Sequence, residues 1–144
     1  MGDLLAQLEA PTHLKNAEMT ETLGRELADQ LPFDHVLALS GDLGSGKTTF
    51  VRGLASGLEI RQGIHSPTYN IFSIYFGGRQ LLYMDAYRLR STDDLDALDI
   101  DSLLTSPFLW VIEWPEMIAD AIPDDATRLR LWIEGGHHFI QRIA

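Results

Sequence analysis

The sequence predicts an α/β fold, a mixed β-sheet flanked by helices, carried by one domain over residues 1–144. Three observations predict it. The run Gly41-Asp42-Leu43-Gly44-Ser45-Gly46-Lys47-Thr48 matches the phosphate-binding pattern G-x-x-x-x-G-K-[ST] between an apolar strand-like run and an amphipathic helix. Gly77-Gly78 and Gly135-Gly136 each separate two strand-like runs, as hairpin turns do. Phe108-Leu109-Trp110-Val111-Ile112 is continuously apolar, as a strand buried inside a sheet must be. Hairpins beside a strand-loop-helix unit make the sheet mixed.

Residues 1–10 read as a frayed start. Asn16 then caps a helix whose Met19, Leu23, Leu27 and Leu31 form an apolar stripe ending before Pro32. His35-Val36-Leu37-Ala38-Leu39-Ser40 is a short buried strand that delivers the chain to the glycine loop. After the loop, Phe50, Val51, Leu54, Ala55 and Leu58 share one helical face, and Gly57 is the stop signal near that helix's end. Tyr69 to Phe76 and Arg79 to Ala86 form a hairpin about Gly77-Gly78. Ser91-Thr92-Asp93-Asp94 resembles a capping box before a helix containing Leu95 and Leu98, with Ile100 to Leu104 as its optional extension. The strand from Phe108 ends in Glu113. Arg128 to Glu134 alternates basic with apolar residues, and His138 to Ile143 returns as the last strand.

Composition narrows the function. Eleven Lys and Arg against 21 Asp and Glu leave a net charge of −10, so long-range electrostatics oppose direct binding to RNA, DNA or an anionic membrane. There is no cysteine, hence no disulfide and no thiolate metal site. The first residues lack a basic leader, and no apolar run approaches the length of a membrane span, which suits a cytoplasmic protein.

The loop carries the chemistry. Its backbone N–H groups must turn inward around phosphate oxygens, and Gly41, Gly44 and Gly46 supply the freedom to do so. The helix it opens adds unpaired N–H groups and a favourable dipole. Lys47 is placed to reach β- and γ-phosphates as a cation, and the Thr48 hydroxyl to ligate Mg²⁺. The expected nucleotide contacts are Gly41, Asp42, Leu43, Gly44, Ser45, Gly46, Lys47, Thr48 and Thr49, with Thr68 as an outlying member and Trp114 either flanking the nucleotide or packing in the core or an interface. A carboxylate at a strand end must complete the magnesium site. Asp85 and Glu113 each terminate an apolar strand; Glu113 is assigned to Mg²⁺, and Asp85 to the metal shell or to orienting the attacking water. Lys47, Asp85 and Glu113 are therefore the catalytic set, and Thr48, Glu113 and Asp85 the metal set. Ser66-Pro67-Thr68-Tyr69 either senses nucleotide or is a turn fixed by Pro67. Arg88 either stabilises transferred phosphate or pairs with a surface carboxylate. His137-His138 reads as a surface turn. His13, His35 and His65 form no recognisable cluster.

In order and spacing, Gly41 to Phe50, Ser66-Pro67-Thr68-Tyr69-Asn70, Asp85-Ala86-Tyr87-Arg88-Leu89 and Ile112-Glu113-Trp114-Pro115-Glu116 make the chain resemble the TsaE family from about Leu14 to Arg142. The family comprises the small P-loop ATPases of bacterial tRNA threonylcarbamoyladenosine biosynthesis. The resemblance implies a P-loop NTPase-like fold, ATP/ADP and Mg²⁺ as ligands, and TsaB and TsaD as partners. It also implies that tRNA is reached only through their complex, which ATP hydrolysis resets between rounds. By the same resemblance, Ser66 to Thr68 is the nucleotide-responsive segment and Trp114 lies near the nucleotide. Two departures stand out: Tyr83 sits where the family often has histidine, and Asp99 where glycine is expected.

Two other classes compete. A small-molecule kinase built on the same loop would hold an acceptor alcohol near Asp85, but no acceptor lid is evident. A nucleotide-gated binding module would change partner affinity with ATP occupancy while turnover stayed incidental. A GTPase is disfavoured because neither Asn-Lys-x-Asp nor Asp-x-x-Gly is found.

Overall fold

The computed structural model describes residues 3–67 and 70–143. Side chains alternate between the two faces of a strand, and that alternation sets the layers. Strand β2 (His35–Ser40) sends Leu37 and Leu39 into one core and Val36 and Ala38 into the other. Strands β4 (Gln80–Asp85) and β5 (Phe108–Glu113) do likewise, Leu81, Tyr83, Leu109 and Val111 facing the first core and Leu82, Met84, Trp110 and Ile112 the second. Burial on both faces is why these strands read as unbroken apolar runs.

With β1 (Thr12–Leu14), β3 (Phe72–Phe76), β6 (Thr127–Glu134) and β7 (His137–Ile143), they form a seven-stranded sheet ordered β1-β7-β6-β2-β5-β4-β3. The pairs β2–β5, β2–β6 and β4–β5 are parallel, whereas β3–β4, β6–β7 and β1–β7 are antiparallel. The mixed sheet expected from the hairpins is the one observed. No helix among the described residues is long and apolar enough to cross a membrane.

Helices α2 (Ala17–Ala28) and α3 (Lys47–Gly57) cover the first face through Leu23, Leu27, Phe50, Val51 and Leu54. Asn16 caps α2 as expected, its side chain accepting from the Met19 N–H at 2.7 Å. The two helices touch backbone to backbone. A Cβ on Gly24 would lie 2.3 Å from the Phe50 carbonyl oxygen, and one on Gly53 would lie 2.0 Å from that of Glu21. Because α3 begins at Lys47, this contact also sets where the glycine loop ends. Gly53→Ala is therefore expected to push the helices apart and cost about 3 kcal/mol, read as a lower urea midpoint; an unchanged midpoint would show that the contact yields freely.

On the second face, Leu95 of α4 (Thr92–Ala97) and Ile118 of the 3₁₀ segment Pro115–Ala121 close the core over β2, β5 and β4. Over β6, β7 and β1 a row of rings lies on the sheet instead. Arg130 sits 5.0 Å from the Trp132 ring, Trp132 stacks on Phe139 at 5.5 Å, and Phe139 adjoins His13 at 5.3 Å.

Several boundaries differ from the sequence expectation, each for a local reason. Residues 3–10 are not frayed: α1 (Leu4–Gln7) is capped by the Asp3 side chain, and Leu8 is buried in the first core. Strand β3 starts at Phe72 because Ile71 has φ +65°, outside strand geometry; Tyr69, the expected start, lies outside the described residues. Arg79 belongs to the loop before β4. Its buried guanidinium donates to the carbonyls of Leu31, Pro32 and Phe108, tying the end of the α2 segment to the start of β5. Gly57 does not stop α3 by conformation. The left-handed residue after the helix is Glu59, φ +62°, whereas a Cβ on Gly57 would lie 2.5 Å from the Arg25 carbonyl oxygen. Helix α4 ends before Asp99, where φ +50° and ψ +48° break it from the 3₁₀ turn Ile100–Ser102. That is a backbone glycine adopts without strain, so the glycine expected there has a physical reason.

Candidate active site

Strand β2 ends at Ser40, and the chain turns away through positive φ at Gly41 (+151°), Gly44 (+81°) and Gly46 (+101°) before α3 begins. Gly41 also admits no side chain, since a Cβ there would lie 2.5 Å from the Leu131 carbonyl oxygen on β6. The Ser45 N–H closes the turn onto the Asp42 carbonyl at 3.1 Å. The helical ladder of α3 opens with the Phe50 N–H on the Gly46 carbonyl at 2.9 Å, which leaves the first-turn N–H groups pointing out of the helix end.

Parallel pairing brings the carboxylates to the same place. Glu113 is in register with Leu39 of β2 and with Asp85 of β4, so both acids stand at strand ends beside the loop. Asp85 also caps the 3₁₀ turn Ala86–Arg88, accepting from the Tyr87 N–H at 3.0 Å. Lys47 is buried; its Nζ donates to the Gly41 carbonyl and lies 3.7 Å from Glu113 Oε1. The same ammonium is 5.0 Å from the Trp114 ring, which packs 5.1 Å from that of Tyr87. On the far side of Glu113, the Tyr83 hydroxyl donates to Oε2.

Burial pushes the Glu113 carboxyl above its ordinary value and Asp85 adds to the rise, against the Tyr83 hydrogen bond and the Lys47 charge. Burial likewise pushes the Tyr83 phenol upward, reinforced by the Glu113 charge. A carboxyl raised in the folded state holds its proton more tightly there than in the unfolded chain. Its contribution to stability is thus fully present below about pH 4.5 and is lost as the pH rises through the raised value. Glu113→Gln, a mimic of the protonated form, is accordingly expected to melt above the parent at about pH 8 and to lose that advantage near pH 4.5. Parallel melting curves at all pH values would contradict this.

Around these groups opens a cleft of about 600 Å³. Of the residues expected from sequence, Leu43, Gly44, Gly46, Lys47, Thr48 and Thr49 line it, and so do Asp85, Glu113 and Trp114. Gly41, Asp42 and Ser45 do not line it; they shape the loop behind it. Thr68 lies outside the described residues, while Ser66 of the same segment is at the rim. Arg88 is exposed and does not line the cleft.

Sequence reasoning names Tyr87 and Tyr83 without giving either a role, and misplaces a third residue. Tyr87 lines the cleft, a role that the quoted run from Asp85 to Leu89 held without assigning. Tyr83 reaches Glu113 only through the β4–β5 pairing, which no local pattern reveals. His138 is no surface turn: it is half-buried on β7, with Nδ1 3.2 Å from the Ser45 carbonyl oxygen of the loop.

The donor set fits Mg²⁺. The Thr48, Glu113 and Asp85 side chains line the cleft together and present the hard oxygen donors that Mg²⁺ takes. Among the described residues, no three His, Cys, Asp or Glu side chains group to hold a metal by themselves.

Sheet order, glycine loop and strand-end acids define a P-loop NTPase-like α/β protein. The sequence profile described as "Threonylcarbamoyl adenosine biosynthesis protein TsaE" matches residues 14–142, and the chain belongs to the TsaE family. It is 40% identical over 113 residues to the tRNA threonylcarbamoyladenosine biosynthesis protein TsaE of Streptomyces coelicolor, covering 76% of each chain. Its identity to the protein of the same name from Treponema pallidum is 35% over 117 residues, 81% of this chain and 87% of the other. In three dimensions it resembles the crystal structure of Bacillus subtilis YdiB, with a TM-score of 0.76 and 27% identity, covering 92% of this chain and 83% of that one.

Proposed function

We propose that this protein is a magnesium-dependent ATPase of tRNA threonylcarbamoyladenosine biosynthesis, acting with TsaB and TsaD in the cytoplasm and touching tRNA only through their complex. Family membership and the names of its relatives support the pathway. The observation that carries the chemistry is Lys47, a buried ammonium held between the Gly41 carbonyl of the loop and the Glu113 carboxylate.

Lys47 exchanges its Gly41 contact for β- and γ-phosphate oxygens of ATP, a stronger partner for a cation. First-turn N–H groups of α3 and the loop backbone surround the same oxygens. Thr48, Glu113 and Asp85 would hold Mg²⁺, which would supply positive charge to offset that of the triphosphate. Asp85 orients a water whose oxygen bonds to the γ-phosphorus as the bond to the ADP oxygen breaks, yielding ADP and phosphate. Trp114 and Tyr87 form the apolar wall of the cleft. Hydrolysis resets the partner assembly between rounds and does not itself form the threonylcarbamoyl bond.

Phosphate release measured with and without TsaB, TsaD and tRNA tests this. Turnover that needs Mg²⁺ and rises with the partners is the expected result. No release of phosphate from ATP in the complete mixture would refute the assignment, and a phosphorylated metabolite in its place would favour a kinase.

A further inference from the structure

We propose that Tyr83 is a positioning residue that fixes the carboxylate of Glu113, a side chain assigned to Mg²⁺, from the neighbouring strand. The inference rests on the ATPase reading above. Tyr83 lies on β4 facing the core beneath α3, and none of it is exposed. Its hydroxyl donates to Glu113 Oε2. It therefore ties the side chain at the end of β5 to its neighbour strand β4.

Packing alone does not explain the hydroxyl. A phenylalanine would fill the same core position, while a buried hydroxyl is tolerated only when bonded. What the oxygen adds is direction. A glutamate carboxylate rotates freely unless one oxygen is held, and Tyr83 takes Oε2 while Oε1 stays turned toward Lys47 and the cleft. A ligand already ordered leaves less to be ordered when the cation arrives with nucleotide. Asp85 has no such tether to Tyr83 and is fixed instead by the Tyr87 N–H.

Tyr83→Phe removes a single oxygen and keeps the ring, and its melting temperature should stay close to the parent's. The probes are the non-hydrolysable analogue AMP-PNP, titrated calorimetrically in EDTA, and Mn²⁺, titrated into the AMP-PNP complex by electron paramagnetic resonance. Expected for Tyr83→Phe is unchanged AMP-PNP affinity in EDTA and about tenfold weaker Mn²⁺ binding, the size of one lost hydrogen bond to a charged group. Glu113→Gln and the double variant complete a cycle in which the second substitution adds little to the first. Parent-like Mn²⁺ binding would overturn the proposal, as would an equal loss of AMP-PNP affinity in EDTA or simple additivity in the cycle. If the parent protein itself binds AMP-PNP but gains no Mn²⁺ affinity from it, the ATPase reading fails and this inference falls with it.

Discussion

Lys47→Ala is expected to weaken triphosphate binding about 100-fold and to lower turnover at least as far, the size of a lost charge-assisted phosphate contact in a partly buried site. The side chain is in the right place for so large an effect. It is buried, it is the cation nearest the loop's own carbonyl at Gly41, and it stands 3.7 Å from the acid assigned to Mg²⁺. Its removal also leaves Glu113 buried without its countercharge, which drives that carboxyl further toward the neutral form. Two losses therefore coincide, one of phosphate binding and one of a charged metal ligand. Phosphate release and calorimetry read them separately. Unchanged turnover would remove the lysine from the site.

Asp85→Asn is expected to separate chemistry from binding. Asparagine keeps an oxygen that can accept from the Tyr87 N–H, so the turn Ala86–Arg88 that Asp85 caps is preserved. The charge is lost, and with it the means to orient a water beside the metal. Turnover is expected to fall about 100-fold while nucleotide affinity changes little. Abolished nucleotide binding would instead make Asp85 a structural residue, needed to hold the end of β4 against Glu113 on β5.

These two variants fall on residues that were legible in sequence, and the reason is local. Glycines at loop positions, a lysine at a helix start and an acid closing an apolar run are patterns a few residues long, and each keeps its meaning without knowledge of the fold. The expectation of glycine at position 99 came from the resemblance and not from a local pattern, and the left-handed backbone there gives it a physical reason. Tyr83 and His138 were not legible. One depends on the parallel register of β4 with β5, and the other on β7 returning beside the loop from 93 residues away. Gly57 shows a subtler limit. A glycine near a helix end suggested a stop, yet its lack of a side chain serves the approach of α2, and Glu59 takes the left-handed position. The hairpin that ends at Asp85 is shorter than its strand-like run suggests, because the positive φ of Ile71 breaks that run.

The central claim is that the loop from Gly41 to Thr48 grips a polyphosphate with Lys47 and the strand-end acids beside it. Calorimetric titration of the folded protein with ATP and with ADP, each in Mg²⁺ and in EDTA, tests this most directly. Saturable binding of both nucleotides, tighter with Mg²⁺ and weakened in Lys47→Ala, is the result predicted. Heats indistinguishable from dilution for both nucleotides, from protein that melts cooperatively in the same buffer, would contradict it.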